Sequence, residues 1–468
     1  MPLTSMLARW RTALAQSHDR PTYLMIADII AEEINSGALQ PRDRLPPLRD
    51  LAEAVNINYT TAARGYSEAR SRGLIDSRPG MGTFIKGRSV SVPLSGGSSF
   101  EMTMNLPTEP AIPGLTEQIR AGAFNLFAHR DMYSLFRYQD FGGSEQDKEA
   151  GVMWLGRALK QAQVDNVLVC PGIHSALVAL LSQLVTDGGM ICACTLVYPG
   201  LKAIAAQLNL SIYALECDND GPVVRAFEDA CKTGNVRAFY INPTLQNPTT
   251  ITIPLRRREA LADVALRYSI PIIEDDAYAA LASKPLTSMA ELAPELTYYV
   301  TGLSKCFGAG LRIAYLHAPN PRLAKRIAGA LRALTVMSSP ITNGLATQWI
   351  MEGTADAMLK AIRSEARARQ QRAARHLAAF DFKASPDGFH LWLTLPKGVD
   401  WNPAHLAAHL RSQRLGAVSS AAFCTDNNPP NALRLCLGGS STLQQCEESL
   451  MLMADILEHP SHLSGLVL

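Results

Sequence analysis

The residues most able to do chemistry lie in the second half of the chain, and each is placed just after an apolar run. Lys305 comes after the predicted strand Tyr298–Val300, and Arg312 follows that lysine by seven residues. Asp275 and Tyr278 stand at the carboxyl end of another apolar strand. A lysine held between apolar strands loses its proton more easily than one in water, as Schiff-base chemistry requires. Taken alone, Lys305 would most often be a surface lysine, Arg312 an ion-pair partner and Asp275 a strand-end cap. Their occurrence together in this order favours a functional site.

The elements that must position these residues alternate between short apolar runs and amphipathic stretches. This alternation predicts a mostly parallel sheet with helices on both faces. The predicted strands are Val167–Val169, Met190–Ala193, Ile212–Leu215, Ala238–Ile241, Pro271–Ile273, Tyr298–Val300 and Leu311–Leu316, with Arg312 at the start of the last. The predicted helices between them are Ser175–Val185, Leu201–Leu208, Val223–Cys231 and Leu255–Tyr268.

The charge of the chain is distributed unevenly, although the total is small. The 468 residues carry 44 Lys and Arg against 42 Asp and Glu, a net charge of +2. Residues 1–92 hold 12 of the basic and nine of the acidic residues, a local net charge of +3. Between Ile57 and Arg88 there are six basic and two acidic residues. A small basic module at the N-terminal end is therefore diluted by an almost neutral remainder.

The basic module has the pattern of three helices followed by two short strands around a Gly-rich turn. Apolar spacing predicts a helix after Pro21, a short helix Leu48–Val55, and a third helix Tyr59–Arg72 with Asn58 as its N-cap. This is the arrangement of a winged helix-turn-helix, whose third helix enters the major groove. A basic face on a protein-interaction module is the alternative that charge alone leaves open. The residues expected to contact DNA are Arg49, Asn58, Tyr59, Thr60, Thr61, Arg64, Arg78 and Gly80.

The N-terminal residues closely resemble the DNA-binding domain of GntR-type bacterial regulators. The resemblance is carried by Pro41–Ala52, by Thr60 and Thr61, and by Gly73–Phe84. It departs from the family at Tyr59, where an arginine is frequent, so the operator sequence cannot be carried over.

The later residues resemble fold-type I pyridoxal 5'-phosphate (PLP) enzymes, the aspartate-aminotransferase-like group. The resemblance implies that Lys305 forms an aldimine with the cofactor and that Asp275 faces its pyridine nitrogen. It implies that Arg434 clamps a ligand α-carboxylate. The other residues that it assigns to the cofactor are Tyr278 and Asn247 at the ring hydroxyl, Tyr198 stacked on the ring, and Arg312, Ile173, His174 and Ser304 at the phosphate.

Three departures from this family concern the cofactor site. Gly302 stands where a serine or threonine usually binds the phosphate, Thr250 replaces a glycine, and the segment before Tyr198 lacks an acidic residue and a proline. Either the phosphate grip is weaker, or Thr301, Ser304 and the main chain compensate for the missing hydroxyl.

Together the two halves resemble the MocR subfamily of bacterial transcriptional regulators. The resemblance implies a winged helix-turn-helix (residues 1–88), a linker (89–113) and an aminotransferase-like domain (114–468), with a large lobe over about 135–318 and a small lobe over about 319–468. It further implies a cytoplasmic homodimer and allows a domain-swapped form, in which the DNA-binding domain of one subunit lies over the aminotransferase-like domain of the other. This dimer would bind double-stranded operator DNA and take PLP and an amino compound as signals. Two alternatives stay open: an active aminotransferase with a vestigial DNA-binding domain, and a regulator for which PLP is the only signal.

The composition gives little support for a disulfide framework, a metal site or a membrane span. The nine cysteines are odd in number, and Cys192 and Cys194 form a lone C-x-C without the second pair that zinc sites require. We therefore expect reduced structural thiols and no metal site. The longest apolar runs fall far short of the ~18–20 residues of a membrane span, and no secretory signal is expected.

Overall fold

The computed structural model of the chain describes most of its length and divides it into two compact units. The described residues are 3–15, 21–36, 38–39, 43–72, 74–78, 82–85, 103–112, 114–186, 188–397, 402–412 and 415–459. The N-terminal unit is Met1–Gly96 and the C-terminal unit is Gly97–Leu468. No helix in these described ranges is long and apolar enough to span a membrane.

The N-terminal unit contains a helix that the sequence patterns did not predict. Its described elements are helices α1 (Leu3–Ala15), α2 (Thr22–Asn35), α3 (Leu48–Ala54) and α4 (Tyr59–Ser71), and strands β1 (Ile75–Arg78) and β2 (Gly82–Ile85). Met6 and Trp10, one helical turn apart on α1, are buried in the core of this unit. The i, i+4 spacing of these two apolar residues was the available signal.

Helices α2 and α4 approach closely because a glycine faces an isoleucine. A Cβ atom at Gly65 would lie 2.9 Å from side-chain atoms of Ile26, so no larger residue fits between the two helices. Strands β1 and β2 pair in antiparallel register, with Ile75 opposite Ile85. The two short strands predicted for the wing are confirmed. Helix α4 packs against both α2 and β1.

The C-terminal unit is built on a seven-stranded sheet. Its first part comprises α5 (Leu115–His129), α6 (Glu145–Leu155), β3 (Val167–Cys170), α7 (Ile173–Leu184), β4 (Met190–Cys194), α8 (Pro199–Gln207), β5 (Ser211–Leu215), β6 (Cys217–Asp218), β7 (Gly221–Pro222), α9 (Val224–Lys232), β8 (Val236–Ile241), α10 (Leu255–Tyr268), β9 (Ile272–Asp275), α11 (Met289–Leu292), β10 (Thr297–Gly302) and β11 (Ala314–His317). The strand order is β3-β11-β10-β9-β8-β4-β5. Only β11 runs antiparallel to its two neighbours, so the predicted mostly parallel sheet is confirmed.

Both faces of this sheet are covered, which explains why its strands read as apolar runs. Val167, Val169 and Tyr315 pack into one core cluster, whereas Leu168 and Leu316 pack into the cluster on the opposite face. Side chains that alternate along a strand therefore all meet apolar partners. The polar residues that follow β8, β9 and β10 emerge at the shared carboxyl edge of these parallel strands.

A second, four-stranded sheet follows. The elements after β11 are α12 (Pro321–Thr335), α13 (Pro340–Met351), α14 (Thr354–His376), β12 (Phe382–Ala384), β13 (His390–Thr394), α15 (Pro403–Ser412), β14 (Gly416–Ser419), β15 (Ala432–Cys436) and α16 (Leu443–Glu458). The sheet is antiparallel, in the order β12-β13-β15-β14. Leu391, Leu393, Leu433 and Leu435 face the helices of this subdomain. Strict alternation places His390, Trp392, Arg434 and Cys436 on the opposite face.

All nine cysteines lie in described segments and are unpaired as disulfides, and seven of them are buried. Among the described residues, no group of three or more His, Cys, Asp or Glu is arranged to hold a metal ion.

Candidate functional site

Asp275, the last residue of β9, is a buried carboxylate with one free oxygen. Its Oδ2 accepts a hydrogen bond of 2.7 Å from the Tyr240 hydroxyl, and its main-chain oxygen accepts one of 2.6 Å from the Asn242 amide. Its Oδ1 is buried and has no hydrogen-bond partner. Burial raises the pKa of Asp275 to about 6. A buried acceptor without a donor is costly, so the fold retains here an oxygen that awaits a cationic or N–H partner.

Lys305 lies in the turn after β10, where its amine faces the same space. Burial lowers the pKa of Lys305 to about 8, with Arg434 and Arg312 also lowering it and Asp275 opposing them. The amine Nζ donates a hydrogen bond of 2.5 Å to the main-chain oxygen of Asn105 and lies 5.8 Å from the ring centroid of Tyr278. A substantial share of this amine is neutral near pH 8, which a nucleophile toward an aldehyde requires.

Tyr278 lies beside Lys305, and Asn247 lies beside Arg434. The Tyr278 hydroxyl accepts a hydrogen bond of 2.8 Å from the Asn105 side chain, and burial raises the pKa of Tyr278. The Asn247 main-chain N–H donates a hydrogen bond of 3.0 Å to the Asn242 side chain, which in turn binds the main chain at Asp275. Asn242 therefore joins two of the predicted ligands into one rigid edge.

Gly172, Ile173 and Arg312 form a cradle at the N-terminus of α7. Gly172 has a φ of +85°, and a Cβ atom there would lie 2.5 Å from a guanidinium nitrogen of Arg312. Ile173 opens the helix, so main-chain N–H groups point out of its first turn. Burial, followed by the charge of Arg312, lowers the pKa of His174. The combination of a helix N-terminus and a guanidinium suits a phosphate.

The predicted strand position of Arg312 is wrong. Arg312 has a left-handed φ of +52° and ends a short turn, Ala309–Leu311, while strand pairing begins at Ala314. The turn places the guanidinium beside Gly172, whereas a strand would have carried the side chain along the sheet.

Local packing explains why position 302 is a glycine. A Cβ atom at this position would lie 2.8 Å from the main-chain oxygen of Ile313 on the paired strand β11, so a serine or threonine does not fit. Thr301 does not replace the missing hydroxyl, because its Oγ1 donates to the Asp276 main-chain oxygen at 3.1 Å. Ser304 lies in the half-buried turn before Lys305 and stays a predicted phosphate ligand.

Tyr198 is the N-cap residue of α8, and its ring lies against Gly200, where a Cβ atom would be 2.2 Å from the ring. Burial, followed by the charge of Asp275, raises the pKa of Tyr198. The influence of Asp275 and Arg312 on this hydroxyl indicates that Tyr198 shares their site. Its stacking on the cofactor ring stays a prediction.

Arg434 on β15 is a buried cation, exposed by 2%. Its Nη2 donates a hydrogen bond of 2.6 Å to the Thr103 main-chain oxygen, and its Nη1 lies 3.5 Å from the Asn247 side-chain oxygen. Its Nε has no partner, and burial lowers the pKa of Arg434. Nearby His390 is also buried, and its pKa is lowered to about 3, so it is neutral and adds no second charge.

Sequence reasoning missed several residues of this site. Tyr240 and Asn242 lie at the carboxyl end of the predicted strand Ala238–Ile241, and this position was the available signal. Thr103 and Asn105 lie in a stretch whose Pro and Ser content is typical of a linker, so no pattern marked them. His390 sits in an apolar run, where a lone histidine carries no signal of a site.

The candidate DNA-facing residues lie at the start of α4 and around it. Asn58 Oδ1 accepts hydrogen bonds of 2.7 Å from both the Thr61 main-chain N–H and the Thr60 hydroxyl, which confirms the predicted N-cap. Thr61 is half-buried, and the members with exposed side chains are Arg49, Asn58, Tyr59, Thr60 and Arg64. The Arg64 guanidinium lies 4.2 Å above the Tyr23 ring. Arg78 ends β1 and Gly80 lies outside the described residues.

Two family models match the parts of the chain that contain these two groups of residues. The model of aminotransferase class I and II matches residues 107–450. The chain belongs to this aminotransferase family. A second model, described as bacterial regulatory proteins of the gntR family, matches residues 22–85. The chain therefore combines a GntR DNA-binding domain with an aminotransferase-like domain, as predicted.

The relatives align with this chain over most of their length. The chain is 28% identical over 458 residues to the uncharacterized HTH-type transcriptional regulator YdeF of Bacillus subtilis, covering 96% of this chain and 97% of the relative. It is 27% identical over 379 residues to the vitamin B6 salvage pathway transcriptional repressor PtsJ of Salmonella typhimurium, covering 81% and 86%.

Among solved structures, the α-aminoadipate aminotransferase LysN of Thermus thermophilus superposes with a TM-score of 0.68 at 21% identity. The match covers 77% of this chain and 92% of that one. This likeness shows the fold of the C-terminal unit.

The fold and the family imply PLP as the cofactor, and the described residues fit it. The unpartnered Oδ1 of Asp275 suits a protonated pyridine nitrogen, and the cradle of Gly172 and Arg312 suits a phosphate. Lys305, with its lowered pKa, lies where it feels the charges of both Asp275 and Arg312. The roles of the individual residues stay predictions.

We expect the reactivity of Lys305 to rise with pH through about 8. Its folded-state pKa is lowered, so the amine is neutral above that pH and protonated below it. Competitive labelling of cofactor-free protein with acetic anhydride, from about pH 6 to about pH 10, measures this midpoint by mass spectrometry. Exposed Lys360 serves as the internal reference.

Two variants should shift the pH midpoint of Lys305 labelling in opposite directions. Arg434→Met removes a neighbouring cation and should move the Lys305 midpoint upward, whereas Asp275→Asn removes an anion and should move it downward. Midpoints that move in the same direction would contradict the electrostatic account.

We expect Gly172→Ala to weaken PLP binding by about tenfold or more, equivalent to ~1.4 kcal/mol, because the new methyl group displaces Arg312. Gly188→Ala is the matched control: Gly188 also has a positive φ, of +71°, but nothing lies within 4 Å of its Cβ position. Equilibrium dialysis of PLP against both variants measures the difference. Equal losses would assign the effect to backbone strain alone.

Proposed function

We propose that the chain is a transcriptional regulator that binds operator DNA through its N-terminal unit and senses PLP, an amino compound or both through Lys305. The observation that carries this proposal is the presence, in one chain, of a helix with an exposed polar N-terminus and of a half-buried lysine that feels the charge of a buried aspartate. The first has a capped N-terminus with exposed Tyr59 and Thr60. The second has the unpartnered oxygen and the lowered lysine pKa that PLP chemistry uses. As a DNA-binding regulator, it would act in the cytoplasm.

When bound, PLP supplies an aldehyde that condenses reversibly with amines and a ring that withdraws electrons. The chain contributes the amine of Lys305, whose lowered pKa makes a substantial share of it neutral near pH 8, and an unpartnered oxygen at Asp275. Arg312 and the first turn of α7 would bind the phosphate, and Tyr278 and Asn247 would orient the ring. These contacts fix the cofactor, so that an incoming amine meets its reactive carbon in one orientation.

An amino compound that carries a carboxylate is the ligand class that Arg434 supports. A buried guanidinium binds a carboxylate through two parallel N–H···O bonds, and Arg434 has no carboxylate partner among the described residues. The name of PtsJ, a vitamin B6 salvage repressor, supports the alternative that PLP itself is the signal.

The signal would pass as a shift between two states. Arg434 lies on the small sheet, whereas Asn247 lies at the edge of the large sheet, 3.5 Å away. A carboxylate bound at Arg434 while its amine engages the cofactor site would connect the two sheets. Such a ligand would bind more tightly when the two sheets are close together than when they are apart. It would therefore favour this closed arrangement.

We expect operator affinity to depend on ligand and on Lys305. An operator obtained by selection from randomised duplex DNA is titrated by fluorescence anisotropy, with and without PLP and a panel of amino acids. At least one condition should change the affinity about fivefold or more, since allosteric coupling is typically ~1–3 kcal/mol. Lys305→Ala should retain basal DNA binding and lose the ligand response, while the exposed-residue control Lys360→Ala retains both.

Operator affinity that ignores PLP and every amine that perturbs the cofactor absorbance would overturn the regulator proposal. Sustained transamination between an amino donor and a keto acid, together with absent DNA binding, would instead favour the aminotransferase with a vestigial DNA-binding domain.

We also propose a homodimer formed through an aromatic patch, defined as Phe124, Tyr133, Phe136 and Tyr138. These side chains are 71%, 72%, 65% and 82% exposed in the single chain. Several strongly exposed aromatic side chains within 15 residues of sequence are expected at a protein–protein interface. The domain-swapped arrangement stays a prediction.

Analytical ultracentrifugation should find the wild-type chain at twice its monomer mass. Phe136→Asp should shift the population toward monomer, because a carboxylate would be buried in the interface. Met451→Asp is the control, since Met451 is a comparably exposed residue (54%) on α16, outside the patch. Equal behaviour of the two variants would place the interface elsewhere.

A further inference from the structure

Three groups of the ligand site are occupied by one segment of the chain. This segment, Thr103–Thr108, is called the strap below. Its Thr103 main-chain oxygen accepts a hydrogen bond of 2.6 Å from Arg434, and its Asn105 main-chain oxygen accepts one of 2.5 Å from Lys305. The Asn105 side chain also donates 2.8 Å to the Tyr278 hydroxyl. The strap therefore contacts Arg434, the group expected to bind a ligand's carboxylate, and Lys305, the group expected to bind the cofactor aldehyde.

The contact at Arg434 is a weak substitute for a carboxylate. A main-chain oxygen is neutral and accepts from one nitrogen, whereas a carboxylate is charged and accepts from two. Arg434 retains an unpartnered Nε, and no carboxylate within the described segments forms an ion pair with it. A buried cation without an anion is costly. A ligand carboxylate would therefore gain more from Arg434 than the Thr103 oxygen does.

The two halves of the strap are fixed to different degrees. The Pro107 oxygen accepts a hydrogen bond of 2.9 Å from the Gly439 N–H, and a Cβ atom at Gly438 would lie 1.8 Å from the Leu106 oxygen. The C-terminal half is thus packed against the chain just after β15. In the N-terminal half, Thr103 is half-buried, Met104 is exposed and Asn105 is buried. Its ties to the site described above are the contacts of Thr103 and Asn105 with Arg434, Lys305 and Tyr278, which are the groups that cofactor and ligand are expected to engage.

We propose that the Thr103 main-chain oxygen is an internal competitor of the ligand at Arg434, and that a ligand displaces it only when it carries a carboxylate as well as an amine. This proposal rests on the regulator function and deepens it, since it assigns the basis of ligand selection. A simple amine can reach the cofactor but leaves Thr103 on Arg434. An amino acid also brings a carboxylate to Arg434, and this carboxylate replaces the Thr103 oxygen. Ligand class is thereby converted into displacement of Thr103–Asn105.

Hydrogen–deuterium exchange of the full-length, PLP-loaded protein tests this displacement. The probes are three amino acids with their matched amines: L-alanine and ethylamine, L-leucine and 3-methylbutylamine, and L-tyrosine and tyramine. An amino acid that perturbs the cofactor absorbance should speed exchange in peptides covering 103–106 by about fivefold or more, whereas its amine should leave them unchanged. Peptides of α7 serve as the internal reference.

Two variants extend the test to affinity. Asn105→Ala removes the tie to Tyr278 and should tighten amino-acid binding by about tenfold relative to wild type, with a smaller effect on the matched amine. Met104→Ala is the matched control, because it shortens an exposed side chain of the same strap and should bind as wild type does. Cofactor absorbance measures both affinities.

The proposal is overturned by amino-acid binding that leaves exchange at 103–106 unchanged or slower, or by equal acceleration with the amine. It is also overturned if no probe binds Asn105→Ala, since loosening the strap should open Arg434. None of these measurements uses DNA. A strap that responds in a protein without ligand-dependent operator binding would therefore leave this inference intact and reject the regulator function alone.

Discussion

The C-terminal unit depends on one constraint, which is the burial of charged groups at the shared edge of β8, β9 and β10. Parallel strands buried on both faces must be apolar along their length, so polar residues accumulate where the strands end. Asp275 is held there by Tyr240 and Asn242, yet keeps an oxygen without a donor. The same enclosure lowers the pKa of Lys305. The site is thus electrostatically incomplete within the described chain, and a charged cofactor would complete it.

Sequence order was sufficient to predict the residues that follow strands. Asp275, Tyr278 and Lys305 lie where β9 and β10 end, because their roles depend on local sequence and on parallel strands that end at the same edge. Arg312 was assigned to the correct neighbourhood but to the wrong conformation, since a left-handed turn at a non-glycine residue carries no apolar periodicity. Gly302 appeared as a departure, and only the packing of β11 against it explains why no side chain fits.

The contacts of the strap could not have been predicted, for a physical reason. They are made by main-chain oxygens, which every residue possesses, to Arg434 and Lys305, which are distant in sequence. Composition marked residues 89–113 as a linker, and it cannot distinguish a chain that crosses solvent from one that crosses a binding site. In the N-terminal unit, helix α1 was missed although Met6, Leu7, Trp10 and Leu14 follow a helical spacing. The remaining elements of that unit had caps, turns and charge patterns that indicated them together.

Gly302 has a consequence for the time scale on which the cofactor is held. A hydroxyl at this position would be one more contact to the phosphate, and the close approach of Ile313 forbids it. Losing a hydrogen bond to a charged group shortens the lifetime of a complex, because affinity differences of this kind appear mainly in dissociation rates. A PLP molecule held by fewer contacts would exchange with its surroundings more often. Its occupancy would then follow the free concentration of PLP, as that of a reporter does.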